Sequence, residues 1–261
     1  MKVFFSELCV LGGDPADSVE RLMEAGAQNV ELMLDGGGWN DFSLRSDELA
    51  AKLKSKDIGY AVHTPVWDAN LTSENSHIRR AVFETYKQTV LFANKLGADH
   101  VVIHPGFCYE TIFHKKTAQA RAEEAVNHLA EFCKGYETKL LIENVGTVKT
   151  SLFTQNEFAA FCKSFPPQVK CLVDVGHAHF NKWDLEKLVA DLGDCLYALH
   201  LHDNDGLADQ HLPIGEGTVD WNRLKRVIKP ISENLNLILE YNIGTPLGKL
   251  TEGKDFLLNA F

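Results

Sequence analysis

The sequence lacks the features that would place the chain in a membrane or in an oxidising compartment. No apolar run approaches the roughly 18–20 residues that a membrane-spanning helix needs. The six cysteines are scattered and form no C-x-x-C pair, which is typical of reduced thiols. The N-terminal segment MKVFFSELCVLGGDPAD has a short apolar stretch but no small-residue cleavage site, so we predict no signal peptide. We therefore expect a soluble protein of the cytoplasm, with no membrane partner.

Basic charge is also scarce. The chain has 26 lysine and arginine residues against 36 aspartate and glutamate residues, a formal net charge of −10, and no Lys/Arg run. Nucleic-acid binding depends largely on basic groups that contact phosphates, so this balance disfavours DNA or RNA as a partner. A local cleft could still bind one small anion, and we expect a small-molecule substrate. A homo-oligomer is compatible with this composition.

A glycine-rich phosphate loop is missing, although strand and helix signals alternate along the whole chain. The turn after the first predicted strand, LGGDPAD, is a poor match to the G-x-G-x-x-G signature of open dinucleotide-binding sheets. Alternating strands and helices predict βαβ units, and eight units in about 250 residues favour a closed (β/α)8 TIM barrel over an open sheet. We predict one α/β domain over residues 1–261, with strands at 3–8, 30–34, 60–64, 100–104, 139–145, 169–175, 197–202 and 237–241.

Side chains of the kind that bind metals stand at the ends of these predicted strands. Each follows an apolar run, as in YAVHTP and LLIENV. Burying a charged or imidazole side chain at the end of such a run costs free energy unless that group is paired or bound to a metal. His100, at the start of its strand, is predicted to be structural, and His202 either supports the ligands or packs in the core. In a closed barrel the C-terminal strand ends meet at one rim, so six side chains should converge there: His63, His104, Glu143, Asp174, His200 and Glu240.

Two short spacings extend this set. Asp174-Val-Gly-His177 puts an imidazole three residues after a strand-end carboxylate, and Asp209-Gln-His211 should put two ligands on one side of an extended segment. Imidazole together with carboxylate suits zinc, iron, manganese or cobalt, and the absence of cysteine argues against a closed structural zinc site. The nine residues could hold one to three divalent ions, with Glu143 as a bridge because it is central in strand order.

The ligand-bearing segments resemble those of a known superfamily. Between residues 62 and 242 the chain contains VHTP, IHPG, IENV, LVDVGHAH, LHLHDND, DQHLPIGEGTVDW and ILEYN, in that order. They resemble the xylose-isomerase-like TIM barrels, which include endonuclease IV and many sugar phosphate isomerases and epimerases. The endonuclease IV pattern implies three metal sites: one on His63, His104 and Glu143, a second on Glu143, Asp174, His200 and Glu240, and a third on His177, Asp209 and His211.

The epimerase branch of the superfamily implies another use of the same residues. One metal would be held by Glu143, Asp174, His200 and Glu240. The two glutamates would act as acid and base on opposite faces of the substrate, and His177 would contact the substrate. This resemblance implies a metal-dependent isomerase or epimerase of a small sugar, polyol or sugar phosphate. The alternative is a two- or three-metal phosphoesterase that acts on a small substrate, because all nine ligand positions of endonuclease IV are filled.

The sequence departs from both branches in its loops. The epimerases usually have an arginine shortly after the strand-7 histidine, where this chain reads HDNDG. Endonuclease IV has longer loops with basic and aromatic residues, where this chain has the acidic, glycine-rich DGGGWND. The first departure argues against close kinship with ketose 3-epimerases, and the second argues against DNA repair.

Five further residues are candidates for substrate contact. Trp39 and Trp67 fall on loops of the ligand-bearing rim and could form an apolar wall for a sugar ring. Glu31, near the end of the second predicted strand, could touch the substrate or pair with a cation. Gly244 and Thr245 follow the last strand, where barrels often bind phosphate.

Overall fold

The strands close into a parallel barrel, as predicted. The computed structural model describes residues 1–109 and 112–260. Each strand pairs in parallel with the next one along the chain, and the last strand pairs with the first to complete the barrel. The strands are β1 (Lys2–Ser6), β2 (Asn29–Met33), β3 (Gly59–His63), β4 (His100–Ile103), β5 (Lys139–Glu143), β6 (Val169–Asp174), β7 (Leu196–Leu201) and β8 (Asn236–Leu239).

Helices alternate with the strands. The longest, α3 (Ser76–Leu96), begins after Asn75, whose side chain accepts a hydrogen bond from the His77 amide, and ends at Gly97 with φ 77°. Glycine adopts that conformation without the steric cost that other residues have. In the part of the chain that the structure describes, no helix is both long and apolar enough to cross a membrane. The other α-helices are α1 (Pro15–Glu24), α2 (Ser46–Lys54), α4 (Lys115–Phe132), α5 (Gln155–Lys163), α6 (Val175–Phe180), α7 (Leu185–Leu192), α8 (Trp221–Ile228) and α9 (Gly248–Ala260).

The short helix α6 was not predicted from the sequence. Its N-cap is Asp174, whose Oδ1 accepts a hydrogen bond from the His177 amide at 2.6 Å. Six residues contain too little periodicity to indicate a helix. The Asp174-x-x-His177 spacing is therefore a capped first turn, which brings His177 Nδ1 to 3.5 Å from the Asp174 carboxylate.

The period-two alternation of the strands explains where the predicted ligands lie. Side chains two residues apart in a strand point to the same face, and inside the barrel one layer is fully apolar. Six residues of this layer stand two positions before a predicted ligand, for example Leu141 before Glu143 and Ala198 before His200. The ligands therefore form the next layer toward the C-terminal ends of the strands. The apolar layer beneath them comprises Phe4, Ala61, Val102, Leu141, Leu172, Ala198 and Ile238.

Candidate metal centre

Glu143, the last residue of β5, stands at the centre of the ligand layer. Its Oε2 lies 3.1 Å from His63 Nε2 and 3.2 Å from His104 Nε2. Its Oε1 lies 3.4 Å from His177 Nδ1 and 3.5 Å from His200 Nδ1. The Glu143 side chain is buried. Four imidazoles that are far apart in the sequence therefore meet around one carboxylate.

Hydrogen bonds from Nδ1 to backbone carbonyl oxygens orient three of the imidazole rings. His63 Nδ1 lies 2.8 Å from the carbonyl oxygen of the next residue, and His177 Nδ1 lies 2.9 Å from the Asn144 carbonyl oxygen. His211 Nδ1 lies 3.1 Å from the Glu240 carbonyl oxygen. Carbonyl oxygens only accept, so in each ring Nδ1 carries the proton and Nε2 of the neutral ring has a free lone pair. These lone pairs face carboxylates, an arrangement that requires a proton or a metal cation between them.

His200 provides the most direct indication of a cation. Its Nε2 donates to Glu31 Oε1 at 2.9 Å, so in the neutral ring Nδ1 has a lone pair that faces the ligand layer. Nδ1 is buried and has no hydrogen-bond partner. Three carboxylate oxygens surround it: Glu240 Oε2 at 3.3 Å, Glu143 Oε1 at 3.5 Å and Asp174 Oδ2 at 3.8 Å. Buried polar atoms normally have partners, and a divalent cation fits this set of one nitrogen and three carboxylates.

His202 holds the Asp174 carboxylate in place. Its Nε2 lies 3.1 Å from Asp174 Oδ1 and 3.0 Å from Oδ2. The ring fits because Gly176 has no side chain: a Cβ there would lie 2.0 Å from His202 Cε1. Sequence reasoning left the role of His202 open. The i, i+2 spacing from His200 is the signal for its position, since both side chains of a strand then point to the same face.

Asp209, His177 and His211 form a second group that is more exposed. Asp209 Oδ2 lies 3.0 Å from His177 Nε2 and 3.3 Å from His211 Nε2. The segment is not extended as predicted, because His211 has φ 47°, in the left-handed region that non-glycine residues rarely adopt. Backbone hydrogen bonds between Asp203 and Leu212, at 2.7 and 2.8 Å, support this turn. The turn brings the two side chains together, and such strain is typical of functional sites.

All nine predicted ligands lie in groups whose donor atoms are within 4.8 Å of one another. Two groups correspond to the first and third sites that the resemblance to endonuclease IV implies. The four residues of the implied second site fall into two groups. His200 is grouped with Glu143 and Asp174, and separately with Glu240 and Glu31. The groups are His63–His104–Glu143, Glu143–Asp174–His200, His177–Asp209–His211, Glu31–His200–Glu240 and His202–His211–Glu240.

The buried charges shift one another's pKa values. Burial alone would raise the pKa of Glu143, but His200 and His104 outweigh it and hold this pKa well below its ordinary value. Burial would lower the pKa of His200, yet Glu240, Glu31 and Glu143 raise it well above its ordinary value. A metal and a proton compete for the same ring nitrogen. The carboxylates therefore favour positive charge among them, whether as protons or as a metal ion.

A cleft of about 430 Å³ opens at the ligand layer. Glu143, His177 and Glu240, the predicted acid–base and substrate-contacting groups, line it. Trp67, one of the predicted wall residues, lines it as well and is 56% exposed. The backbone amides of the predicted Gly244–Thr245 phosphate turn bond to other backbone carbonyls at 3.0 and 3.1 Å, so neither is free to bind a phosphate, and neither residue lines the cleft.

Trp39 forms no wall of the cleft, because its ring is buried elsewhere. The ring packs edge-on against Phe92, and its Nε1 donates to Glu7 Oε2 at 3.0 Å. Glu7 was missed because it falls within the predicted strand 3–8, whereas β1 ends at Ser6 and the chain continues as a 3-10 helix, Glu7–Val10. Burial raises the pKa of Glu7 to about 8, so this carboxyl group is mostly protonated at neutral pH.

Glu31 lies beneath the ligand layer and not at the cleft. It is fully buried, and it pairs with His200 through Oε1 and faces His100 Nε2 through Oε2 at 3.6 Å. His100 Nδ1 in turn lies 3.1 Å from Asp99 Oδ2, which accepts from the Tyr197 hydroxyl at 2.8 Å. Burial separates Glu31 from any substrate, so it supports His200 instead. Lys2 and Asn236 also donate to Asp99. We call this connected group the lower network: Glu31, His100, Asp99, Tyr197, Lys2 and Asn236.

A closed (β/α)8 barrel with histidine and carboxylate side chains gathered at its C-terminal end defines the class of protein to which this chain belongs. Active sites in such barrels lie at that end. More specifically, the chain belongs to the xylose isomerase-like TIM barrel family, whose model matches residues 19–260.

Individual relatives are more distant. The chain is 28% identical to an uncharacterised protein of Methanocaldococcus jannaschii over 217 residues, which cover 83% of this chain and 82% of that protein. It is 24% identical to the fructoselysine 3-epimerase of Shigella flexneri over 185 residues, which cover 69% and 66%. A solved structure of a D-tagatose 3-epimerase-like protein matches with a TM-score of 0.85 at 21% identity, over 100% of this chain and 97% of the other. That structural likeness concerns the fold alone.

Proposed function

We propose that the protein is a divalent-metal-dependent isomerase or epimerase of a small sugar or polyol. The observation that carries the proposal is His200 Nδ1, a buried nitrogen that faces three carboxylates and has no hydrogen-bond partner. Glu143, Asp174, His200 and Glu240 are the four residues that would hold one ion in the epimerase branch of the family. The similarity to fructoselysine 3-epimerase supports the same class of reaction.

The reaction would be a proton transfer between two glutamates and the substrate. A bound divalent ion supplies Lewis acidity, which lowers the pKa of a C–H bond next to a carbonyl group. Glu143 and Glu240 both line the cleft, and one removes this proton while the other returns a proton to the opposite face. His177 lines the cleft beside Glu143. Burial would lower its pKa, but neighbouring carboxylates, Asp174 first, raise this pKa well above the ordinary value, so the protonated ring would donate from Nε2 toward the substrate oxygen that gains negative charge.

Deuterium exchange tests this function. The protein, loaded in turn with Mn²⁺, Co²⁺ or Zn²⁺, is incubated in D2O with a panel of ketoses, and NMR measures deuterium at the carbon next to the carbonyl group. We expect exchange with at least one ketose, together with its epimer or isomer, and loss of exchange in Glu240→Gln. Absence of exchange with every ketose and every metal contradicts the proposal.

A second candidate is a two- or three-metal phosphoesterase, which the His177–Asp209–His211 group favours. Further ions there would allow metal activation of water and binding of the phosphoryl oxygens, with Glu143 between two ions. Elemental analysis distinguishes the two functions. One exchangeable ion per chain supports the isomerase, and two or three tightly held ions, with hydrolysis of a small phosphoester, support the phosphoesterase.

A further inference from the structure

The geometry points to a particular substrate class: an uncharged sugar or polyol that carries an apolar substituent. This inference rests on the proposed isomerase or epimerase function and specifies its substrate. Its first support is the composition of the cleft. Among the described residues that line it, none is a lysine or an arginine. Proteins that bind phosphate esters commonly use these side chains or the N-terminus of a helix.

A line of aromatic rings leads from the metal centre to the mouth of the cleft. The Phe107 ring packs edge-on against the predicted ligand His104 with centroids 5.7 Å apart, and Tyr109 stacks on Phe107 at 5.3 Å. Phe107 is held in place, because its amide donates to Asn70 Oδ1 at 3.0 Å and its carbonyl accepts from Thr72 Oγ1 at 2.8 Å. A substrate whose hydroxyl groups lie at the ligand layer would therefore place an attached group along these rings.

The outer end of this line is exposed. Tyr109 is 55% and Trp67 is 56% exposed, and both line the cleft together with Val66 and Phe180. Large apolar side chains grouped at a cleft are typical of a ligand-binding surface. The volume of about 430 Å³ lies in the range of about 300–1,000 Å³ that holds drug-sized ligands. The cleft therefore has room for a substituent beyond the sugar itself.

The test compares derivatives of the ketose that exchanges deuterium fastest in the panel described above. They are its 6-phosphate, its 1-anilino-1-deoxy derivative and its 6-O-benzyl derivative, which place a phenyl group at either end of the sugar. With the Mn²⁺-loaded protein we expect at least one aryl derivative to have a KM about 10-fold or more below that of the free ketose, from burial of the phenyl ring. The 6-phosphate should be the poorest substrate.

The variants Tyr109→Ala and Trp67→Ala identify the surface responsible. Because both side chains are half exposed, their removal should leave the fold intact. We expect each variant to lower the aryl advantage several-fold, where the aryl advantage is the KM of the free ketose divided by the KM of the aryl derivative. Tyr136→Ala, which removes a tyrosine that packs on Phe132, is the matched control and should keep the full advantage. This inference is wrong if the 6-phosphate is the preferred substrate, or if the aryl advantage is absent or unaffected by both variants. In either case, deuterium exchange with the free ketose would still support the proposed function. If no ketose exchanges at all, the proposed function fails, and this inference fails with it.

Discussion

The barrel interior contains two buried groups of histidines and carboxylates, and they differ in how their charges are balanced. In the lower network, Asp99 accepts from Lys2 at 2.9 Å, from the Tyr197 hydroxyl at 2.8 Å and from Asn236 at 2.9 Å. Its carboxylate is satisfied by protein donors. In the ligand layer, Glu143 and Glu240 instead face imidazoles, and one of the facing nitrogens, His200 Nδ1, has no partner.

This difference marks the ligand layer as the candidate site for a cation. Buried charges persist when they are paired or bound to a metal. In the lower network Asp99 has protein donors, although Glu31 Oε2 and His100 Nε2, 3.6 Å apart, have no hydrogen-bond partner. In the ligand layer three carboxylate oxygens surround His200 Nδ1, a set that an external cation would satisfy. Glu31 joins the two groups because it accepts from His200. It orients the His200 ring, as the partners of metal-bound histidines generally do.

The largest expected effect follows from Glu143→Gln, at the centre of the ligand layer. The amide keeps the shape of the side chain but removes the charge and the acid–base group. We expect metal content to fall below one ion per chain and deuterium exchange to fall by about 10²–10⁴-fold. Elemental analysis and NMR measure the two quantities. Glu84→Gln, at an exposed carboxylate paired with Lys87, is the control, and equal losses in the two variants would contradict the central role of Glu143.

Glu31→Gln tests the connection between the two groups. It removes the negative charge that orients His200, so we expect metal affinity to fall by about 10–100-fold, measured by calorimetric titration of the metal-free protein. Asp99→Asn changes the same network one imidazole further from the ligand layer and should lower metal affinity much less. Equal effects of the two substitutions on metal affinity would show that Glu31 has no special role in orienting His200.

Gly176→Ala tests how His202 holds Asp174. The added Cβ would lie 2.0 Å from His202 Cε1, so we expect the free energy of unfolding to fall by about 1–3 kcal/mol and metal binding to weaken. His202→Ala removes the clash, and the double variant should lose less stability than the sum of the single variants. Urea unfolding of all four proteins measures this coupling. Strictly additive losses would mean that the two residues do not meet.

Glu7→Gln should leave metal binding unchanged and alter only the pH dependence of stability. Because burial raises the pKa of Glu7 from 4.5 to about 8, the folded state holds a proton that the unfolded state releases. The stabilisation is complete below pH 4.5 and is lost as the pH rises toward 8, at up to about 1.4 kcal/mol per pH unit. We therefore expect Glu7→Gln to gain stability relative to the parent protein between pH 5 and 8, measured by urea unfolding. A stability difference that is constant with pH would contradict this.

The positions of the predicted ligands in the barrel could be inferred from the sequence because they depend on regular geometry. In a parallel barrel, alternation along each strand and the common direction of the strands determine which side chains share a layer, so His63, Glu143 and Glu240 followed from their places after apolar runs. The role of Trp39 could not be predicted, because its burial depends on how a loop packs against α3. Glu7 and α6 were missed because a 3-10 helix and a six-residue helix replace what the local pattern indicates as strand or loop.

The most direct measurement is anomalous diffraction at the zinc edge from crystals of the protein soaked in Zn²⁺. We predict a peak at about 2.0–2.1 Å from His200 Nδ1, the usual length of a Zn–N bond, with Glu143, Asp174 and Glu240 as its other ligands. An absence of any peak beside His200, with its Nδ1 hydrogen-bonded to a carboxylate instead, would contradict the account that this layer is a metal centre.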